Sequence, residues 1–148
     1  MSEIRYGWVA GGPPAYVPAA IGASEVFKNL SGRWMGSDAA GYLDVADTDA
    51  AELQGWGEYG ELTAPATDGL LEIVVDISPN SVYRMPADDT PALTDMWETC
   101  DIVVASNIQQ ADVGQSNQDV LIICGFNATD LTVDARMNPS KMGSVGVA

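Results

Sequence analysis

The sequence predicts an all-β protein, a small antiparallel β-barrel or sandwich with one short helix and an extended N-terminal arm. In several short segments, apolar residues alternate with polar ones at a period of two, which is typical of strands with one buried face. Glycine, proline and aspartate separate these segments at short intervals, as they do in barrels and sandwiches. Counting the segments gives about eight to ten strands.

The clearest alternation lies within residues 69–106, where residues 71–77, 81–85 and 99–106 each predict a strand. The other predicted strands are residues 25–30 and 33–35 as a hairpin, 42–45, 53–62, 118–126 and 131–137. The segment 53–62 contains three glycines, so we expect a kinked strand with close backbone approach. The segment 118–126 is apolar on both faces, which predicts a central strand or one whose outer face meets a partner. Residues 107–117 are expected to form a polar loop or hairpin.

One short helix is predicted within residues 87–99, where Asp88, Asp89 or Thr90 can cap a turn that begins near Pro91. Residues 1–24 combine glycine and proline with several aromatic residues, whereas disordered linkers contain few aromatics. We therefore predict an extended arm that lies on its own domain, on a neighbouring subunit or on another protein. Residues 25–139 form the predicted β domain, and residues 140–148 a flexible tail.

The composition restricts the classes of partner. The 148 residues suit one domain. The net charge of −15 leaves no basic patch for phosphates, so neither nucleic acid nor an anionic membrane surface is expected as a partner. No apolar run reaches the roughly 18 residues of a membrane span. The first residues include Glu3 and Arg5 and then glycine and proline, so we expect no secretion signal.

The chain has no histidine and two cysteines. Without histidine, the commonest general base and metal ligand is missing, as is every Ser-His or Cys-His nucleophile. Any enzyme would therefore have to rely on carboxylates, on Lys28 or Lys141, or on the tyrosines, and no metal site is expected. Cys100 and Cys124 fall in apolar strand segments and are interpreted as small buried hydrophobes; whether they form a bridge stays open.

Four weak constellations remain as alternatives. The acidic segment with Asp44, Asp47, Asp49 and Glu52 has part of a calcium-loop pattern, but it lacks the glycine and the correctly spaced glutamate of such a loop, so a solvated acidic turn is the favoured interpretation. A second acidic set can supply paired carboxylates; it consists of Asp88, Asp89, Asp95 and Glu98. Three tryptophans can form a sugar-stacking face, namely Trp34, Trp56 and Trp97. Asn127 begins a glycosylation sequon, which matters only for a secreted protein.

The order of segments over residues 82–137 is a strand ending in YRMPADD, a short Leu/Trp element, ETCDIVV, a polar loop, DVLIICGFN and a strand ending in RMNP. This order resembles the small capsid cement, or decoration, proteins of tailed bacteriophages, over residues 25–139. The resemblance implies a short, β-rich, non-enzymatic virion protein without a cofactor. It further implies a homotrimer that binds the major capsid protein on the outer capsid surface, after synthesis in the host cytoplasm, and strengthens the shell. The aromatic N-terminal arm departs from that family.

Under this hypothesis, the interface with the capsid or with neighbouring subunits comes from the arm and from residues 38–41 and 47–61. The candidate interface residues are Tyr6, Trp8, Val9, Tyr16, Val17, Trp56 and Tyr59. Aromatic side chains supply much of the energy at protein interfaces. Deleting residues 1–24 is expected to abolish attachment and leave a folded domain. The alternatives are a sugar- or ligand-binding β-module of a phage tail or fibre, and a carboxylate enzyme or metal-binding protein.

Overall fold

The computed structural model describes residues 6–38 and 40–142. The all-β prediction is confirmed, because the described residues form thirteen strands and two short 3-10 turns. The strands are β1 (Gly7–Ala10), β2 (Tyr16–Ile21), β3 (Val26–Phe27), β4 (Trp34–Ser37), β5 (Leu43–Val45), β6 (Gly55–Glu58), β7 (Leu62–Thr63), β8 (Leu71–Asp76), β9 (Val82–Pro86), β10 (Thr99–Ala105), β11 (Ile108–Asp112), β12 (Leu121–Asn127) and β13 (Thr132–Met137). The 3-10 turns are Leu93–Asp95 and Pro139–Lys141.

Five strands close into a small barrel in the order β2-β5-β4-β6-β8. β2 pairs with β8 along its whole length, whereas its pairing with β5 consists of one parallel partner pair, Ile21 and Leu43. The side chains of β8 alternate between the two faces of the barrel wall. Ile73 and Val75 are buried in the barrel interior, and the intervening Val74 is exposed. The two-stranded sheet of β3 and β7 adds Phe27 to this first apolar core.

The second sheet has six strands in the order β1-β9-β13-β12-β10-β11. It curls back on itself, because Ala87 and Ala111 form a parallel bridge and the Asp88 amide donates to the Ala111 carbonyl. β12 lies centrally between β13 and β10, as its apolar sequence predicted. The concave side is filled by a second core, which includes Tyr83, Met85, Ile102, Leu121, Ile123, Val133 and Met137.

The barrel and the curled sheet meet through three aromatic side chains. Trp34 and Trp56 sit opposite each other on β4 and β6 and make an edge-to-face contact, with ring centroids 5.0 Å apart. Trp56 stacks on Tyr83 of β9 at 4.5 Å, and Trp34 meets the same ring edge-on at 5.7 Å. Such pairs add roughly 0.5–1.5 kcal/mol each beyond area burial, so this trio fixes the position of one sheet on the other.

A buried glutamine provides a second connection. The Gln109 side chain, on β11, accepts a hydrogen bond from the Trp34 amide and donates to the carbonyls of Trp34 and Ala46. The Gln109 backbone amide donates to the Ser31 hydroxyl. Because an unpaired amide in this apolar setting is costly, the fully bonded Gln109 favours one relative placement of the two sheets.

The structure does not show the extended N-terminal arm. β1 is the edge strand of the curled sheet, where it pairs with β9, and β2 is a wall of the barrel. Residues 7–21 are therefore integral to the β domain, so the predicted boundary at residue 25 is wrong. Removing residues 1–24 takes away both strands, and a folded remainder is no longer expected. Residues 1–5 lie outside the described part of the chain.

Two further predictions about elements need correction. Residues 25–30 and 33–35 do not form a hairpin, because β3 pairs with β7 while β4 pairs with β5 and β6. The kinked strand 53–62 is instead two strands, β6 and β7, in different sheets. The close approach expected there is confirmed at Gly55, where a Cβ atom would collide with the Asp76 carbonyl oxygen.

The short helix predicted within residues 87–99 is the 3-10 turn Leu93–Asp95, which begins after Ala92 instead of after one of the predicted caps. Residues 107–117 contain β11, which forms a hairpin with β10. Cys100 and Cys124 are both free thiols, the first buried and the second half-buried. Of the predicted tail, Pro139–Lys141 is ordered as a 3-10 turn and Met142 bridges to Leu53; residues 143–148 lie outside the described part.

Candidate interaction surface

Four of the seven predicted interface residues expose their side chains. Tyr16 is 52% exposed, Trp8 49%, Tyr59 42% and Val17 36%. Tyr6 and Val9 are half-buried. Trp56 is fully buried in the aromatic trio, so its assignment to an interface is wrong, because it packs inside the domain against Tyr83.

Trp8 and Tyr16 belong to different sheets, and strand pairing places each of them opposite one member of a hydrogen-bonded pair of buried residues. Trp8 sits opposite Tyr83 in the β1–β9 pair, and Tyr16 sits opposite Asp76 in the β2–β8 pair. The Tyr83 hydroxyl donates to the Asp76 carboxylate at 2.6 Å and so connects the β1–β9 pair with the β2–β8 pair. Trp8 and Tyr16 therefore flank a buried hydrogen bond at the junction between the curled sheet and the barrel.

The exposed apolar area continues along the outer wall of the barrel. Val74, which is 44% exposed, is the register partner of Pro18 on β2 and of Glu58 on β6. Tyr59 follows Glu58, the last residue of that strand, directly. We call this area, formed by Trp8, Tyr16, Pro18, Tyr59 and Val74, the aromatic surface.

Asp76 anchors the aromatic surface from beneath. Its carboxylate accepts hydrogen bonds from the amides of Ala15 and Ser78 as well as from Tyr83. Burial acts to raise the pKa of Asp76, but the hydroxyls of Ser81 and Tyr83 and the two amides together lower it below its ordinary value. The bonded carboxylate thus holds the link between β1 and β2 against β8 and keeps Tyr16 in place.

The charges around the aromatic surface are mainly negative. Burial, with Glu58 and Asp76 nearby, raises the pKa of Tyr16. Burial raises the pKa of Tyr83 most, followed by the effects of Asp76 and then of Glu58. Both phenols therefore stay neutral and able to donate at physiological pH. Arg33 lies near Glu58, and burial lowers its pKa while Glu58 raises it. The aromatic surface is therefore bordered by the Glu58 carboxylate, with the Arg33 guanidinium nearby.

The other constellations of the sequence are not assembled. Trp34 and Trp56 are buried, whereas Trp97 is 71% exposed, so the three tryptophans form no common stacking face. Asp44, Asp47 and Glu52 line a groove of about 370 Å³, with Asp49 outside its lining. Within residues 6–38 and 40–142, no three acidic or cysteine side chains come together in a group able to hold a metal ion.

Three carboxylates of the second acidic set accept hydrogen bonds from backbone amides. Asp88 accepts a hydrogen bond from the Val113 amide, Asp89 from the Thr90 amide and Asp95 from the Ala92 amide. The sequence did not single out Asp112, whose carboxyl pKa is raised to about 6 by burial and by Asp88, with smaller effects from Asp101 and Asp49. Asp112 lies in the middle of the predicted polar loop or hairpin 107–117, and nothing in that pattern indicates its pairing with Asp88.

The comparisons with known proteins give no match to a family model, to a curated protein or to a solved structure. In the described residues, helical structure is limited to short turns, and none has the length and apolar character needed to cross a bilayer.

Proposed function

We propose that this chain is a structural virion protein that binds the outer capsid surface through the aromatic surface and stabilises the shell. The observation that carries the proposal is the exposure of Trp8 and Tyr16, whose register partners Tyr83 and Asp76 are joined by a hydrogen bond where the two sheets meet. Large exposed aromatics on an ordered scaffold are typical of protein interfaces, because little conformational entropy is lost when they are covered.

The surrounding charge supports attachment to protein in preference to nucleic acid. The chain carries a net charge of −15, and the rim of the aromatic surface includes Glu58. An acidic protein on the outside of a shell is repelled by DNA, yet it binds a complementary basic or mixed surface. The major capsid protein is the proposed partner, and a homotrimer is the proposed state, since several linked contacts strengthen weak individual ones.

The geometry does not favour the alternative of a sugar-binding module of a tail or fibre. A sugar site needs aromatic faces beside convergent polar groups, whereas two of the three tryptophans suggested for it are inside the core. An exposed apolar area at the junction of two sheets suits a broad protein contact better.

Co-sedimentation with undecorated capsids of the phage that encodes the chain tests the proposal. We expect saturable binding of the wild-type protein to those capsids and a solution mass near three times 15.6 kDa by light scattering. We also expect decorated capsids to lose their DNA at a higher temperature than undecorated ones. A protein that ignores the capsids at micromolar concentration, and leaves their thermal release unchanged, contradicts the proposal.

A further inference from the structure

The connection between β9 and β10 presents a second exposed apolar area, separate in sequence from the aromatic surface. Leu93 is 75% exposed and Trp97 is 71% exposed, the highest values among the large apolar side chains described. They lie four residues apart: Leu93 begins the 3-10 turn Leu93–Asp95, and Trp97 follows the turn. Burying such side chains is favourable, so leaving both in water is a cost that folding alone does not explain.

The connection is firmly seated, so this exposure does not come from a loose loop. Pro91 is buried and Met96 packs against the core of the curled sheet. The Trp97 amide donates to the Ile123 carbonyl at 2.8 Å, and the Ile123 amide donates to the Glu98 carbonyl at 3.0 Å. The anchored residues of the segment alternate with Leu93 and Trp97. The backbone is therefore fixed while these two side chains are exposed to solvent.

Trp97 also occupies an unusual backbone conformation. Its φ angle is +69°, in the left-handed region that bulky side chains rarely adopt. The hydrogen bonds on either side of Trp97 hold it there. A strained residue that is kept by its surroundings and directs a large aromatic side chain to solvent is typical of a recognition site.

The charges of this segment indicate the chemistry of the partner. The carboxylates of Asp88, Asp89 and Glu98 are exposed and that of Asp95 is half-buried, while the segment 87–98 contains no lysine or arginine. A second copy of this chain would bring the same negative charge, in a molecule of net charge −15. Electrostatic complementarity therefore favours a different protein whose apolar pocket has a basic rim.

We propose that Leu93 and Trp97 form a second docking site, which inserts into an apolar pocket with a lysine- or arginine-rich rim on another protein. This site belongs to the β9–β10 connection and does not depend on attachment through the aromatic surface. The two apolar side chains supply the contact energy, and the four carboxylates select a basic partner over an acidic one.

A pair of fluorescein-labelled amphipathic peptides tests the proposal, one with alternating leucine and lysine faces and one in which glutamate replaces every lysine. We expect saturable anisotropy changes with the leucine–lysine peptide, weakened by added salt, and none with the leucine–glutamate peptide. In a Trp8→Phe variant, where Trp97 is the one exposed tryptophan, the same titration is expected to shift the emission to the blue.

The variants Leu93→Ser and Trp97→Ser are expected to weaken peptide binding at least tenfold, while Leu70→Ser, which changes a leucine that is 68% exposed in another loop, leaves it unchanged. Buried-tryptophan emission and melting temperature check that each variant is folded. Binding that survives both substitutions, equal binding of both peptides, or no saturable binding at all overturns the proposal. Saturable quenching by a glycan panel instead, or a doubled solution mass lost in Trp97→Ser, also overturns it.

Discussion

At the scale of single residues, two carboxylates lie in opposite environments. Asp76 is surrounded by donors, which lower its pKa despite burial. Burial and the neighbouring Asp88 raise the pKa of Asp112 to about 6. The first carboxylate stabilises the fold when it is charged, and the second opposes the fold when it is charged.

Tyr83→Phe is expected to destabilise the fold by about 1–3 kcal/mol, because it removes a donor from the buried Asp76 carboxylate and leaves the ring stack in place. Since the pKa of Asp76 is lowered, its stabilising effect is present above its ordinary value of 3.8 and is lost as pH falls through the folded-state pKa. Urea unfolding at several pH values measures both effects. Tyr59→Phe, an exposed control, is expected to change neither; equal losses for the two variants contradict this role of Asp76.

Asp112→Asn is expected to stabilise the protein at pH 7 and to have little effect near pH 4. Because the folded-state pKa is raised, the contribution of Asp112 is fully present below its ordinary value of 3.8 and is lost as pH rises through about 6. Melting temperatures of wild type and variant between pH 4 and pH 8 measure the difference. Asp38→Asn, a change in a separate turn, is a control for lost charge. A stabilisation that does not grow with pH contradicts the pairing with Asp88.

At the scale of elements, the central feature is the junction where β6 and β8 approach closely beneath the aromatic trio. Gly55 is buried on β6, and its missing side chain leaves room for the Asp76 carbonyl and the Val75 methyl group. The junction therefore positions both the Trp56 ring and the carboxylate that anchors the aromatic surface.

Gly55→Ala is expected to cost roughly 1–3 kcal/mol, because the added methyl group overlaps backbone that cannot shift without moving β8. Gly12→Ala is the matched control, since a Cβ atom at Gly12 meets no atom within 4 Å. Denaturant midpoints measured for the two variants give the comparison. If Gly12→Ala destabilises the protein as much as Gly55→Ala, close packing at β6 is not the cause.

Strands are predictable from this sequence where the alternation of apolar and polar residues is local and unbroken. β8, β10, β12 and β13 were predicted within one to three residues, because each is a clear apolar run between turn residues. β2 has the same alternation at Val17, Ala19 and Ile21, but the prolines and glycines before it hid the strand. The pairing of β3 with β7 was not predictable, because no turn connects two strands so far apart in sequence.

For the candidate surface, exposure was predicted better than position. Trp8 and Tyr16 are predicted as anchors of an extended arm, and they are exposed on two strands of the domain, while their place at an interface stays a prediction. The sequence did not indicate the register of β1 with β9 and of β2 with β8, which sets them opposite Tyr83 and Asp76. Trp56 was misassigned because a tryptophan between glycines suits an exposed bulge and a tightly packed junction equally well.

At the scale of the whole molecule, charge dominates. The chain has a net charge of −15, and within the described residues the one salt bridge joins Arg84 to Asp134 at 2.8 Å. Most of the carboxylates therefore repel one another over the surface. This repulsion works against the compact state.

Adding 0.5 M sodium chloride is expected to raise the melting temperature, because salt screens repulsion among exposed carboxylates more than it weakens a single surface ion pair. Calorimetry at low and high salt measures the effect at pH 7. Sodium sulfate is not a suitable substitute, since it also strengthens apolar burial. An unchanged or lower melting temperature in sodium chloride contradicts the claim that net repulsion is significant.

The most direct test of the central claim is a binding curve on undecorated capsids for the double variant Trp8→Ser/Tyr16→Ser. The matched control is Leu30→Ser/Leu70→Ser, which removes two exposed leucines outside the aromatic surface. Because truncated aromatic anchors at an interface typically cost about 2 kcal/mol or more each, we predict at least tenfold weaker attachment for the first variant. The second variant is predicted to bind like wild type. Equal binding by both double variants, with both proteins folded, would contradict the assignment of the aromatic surface to the capsid.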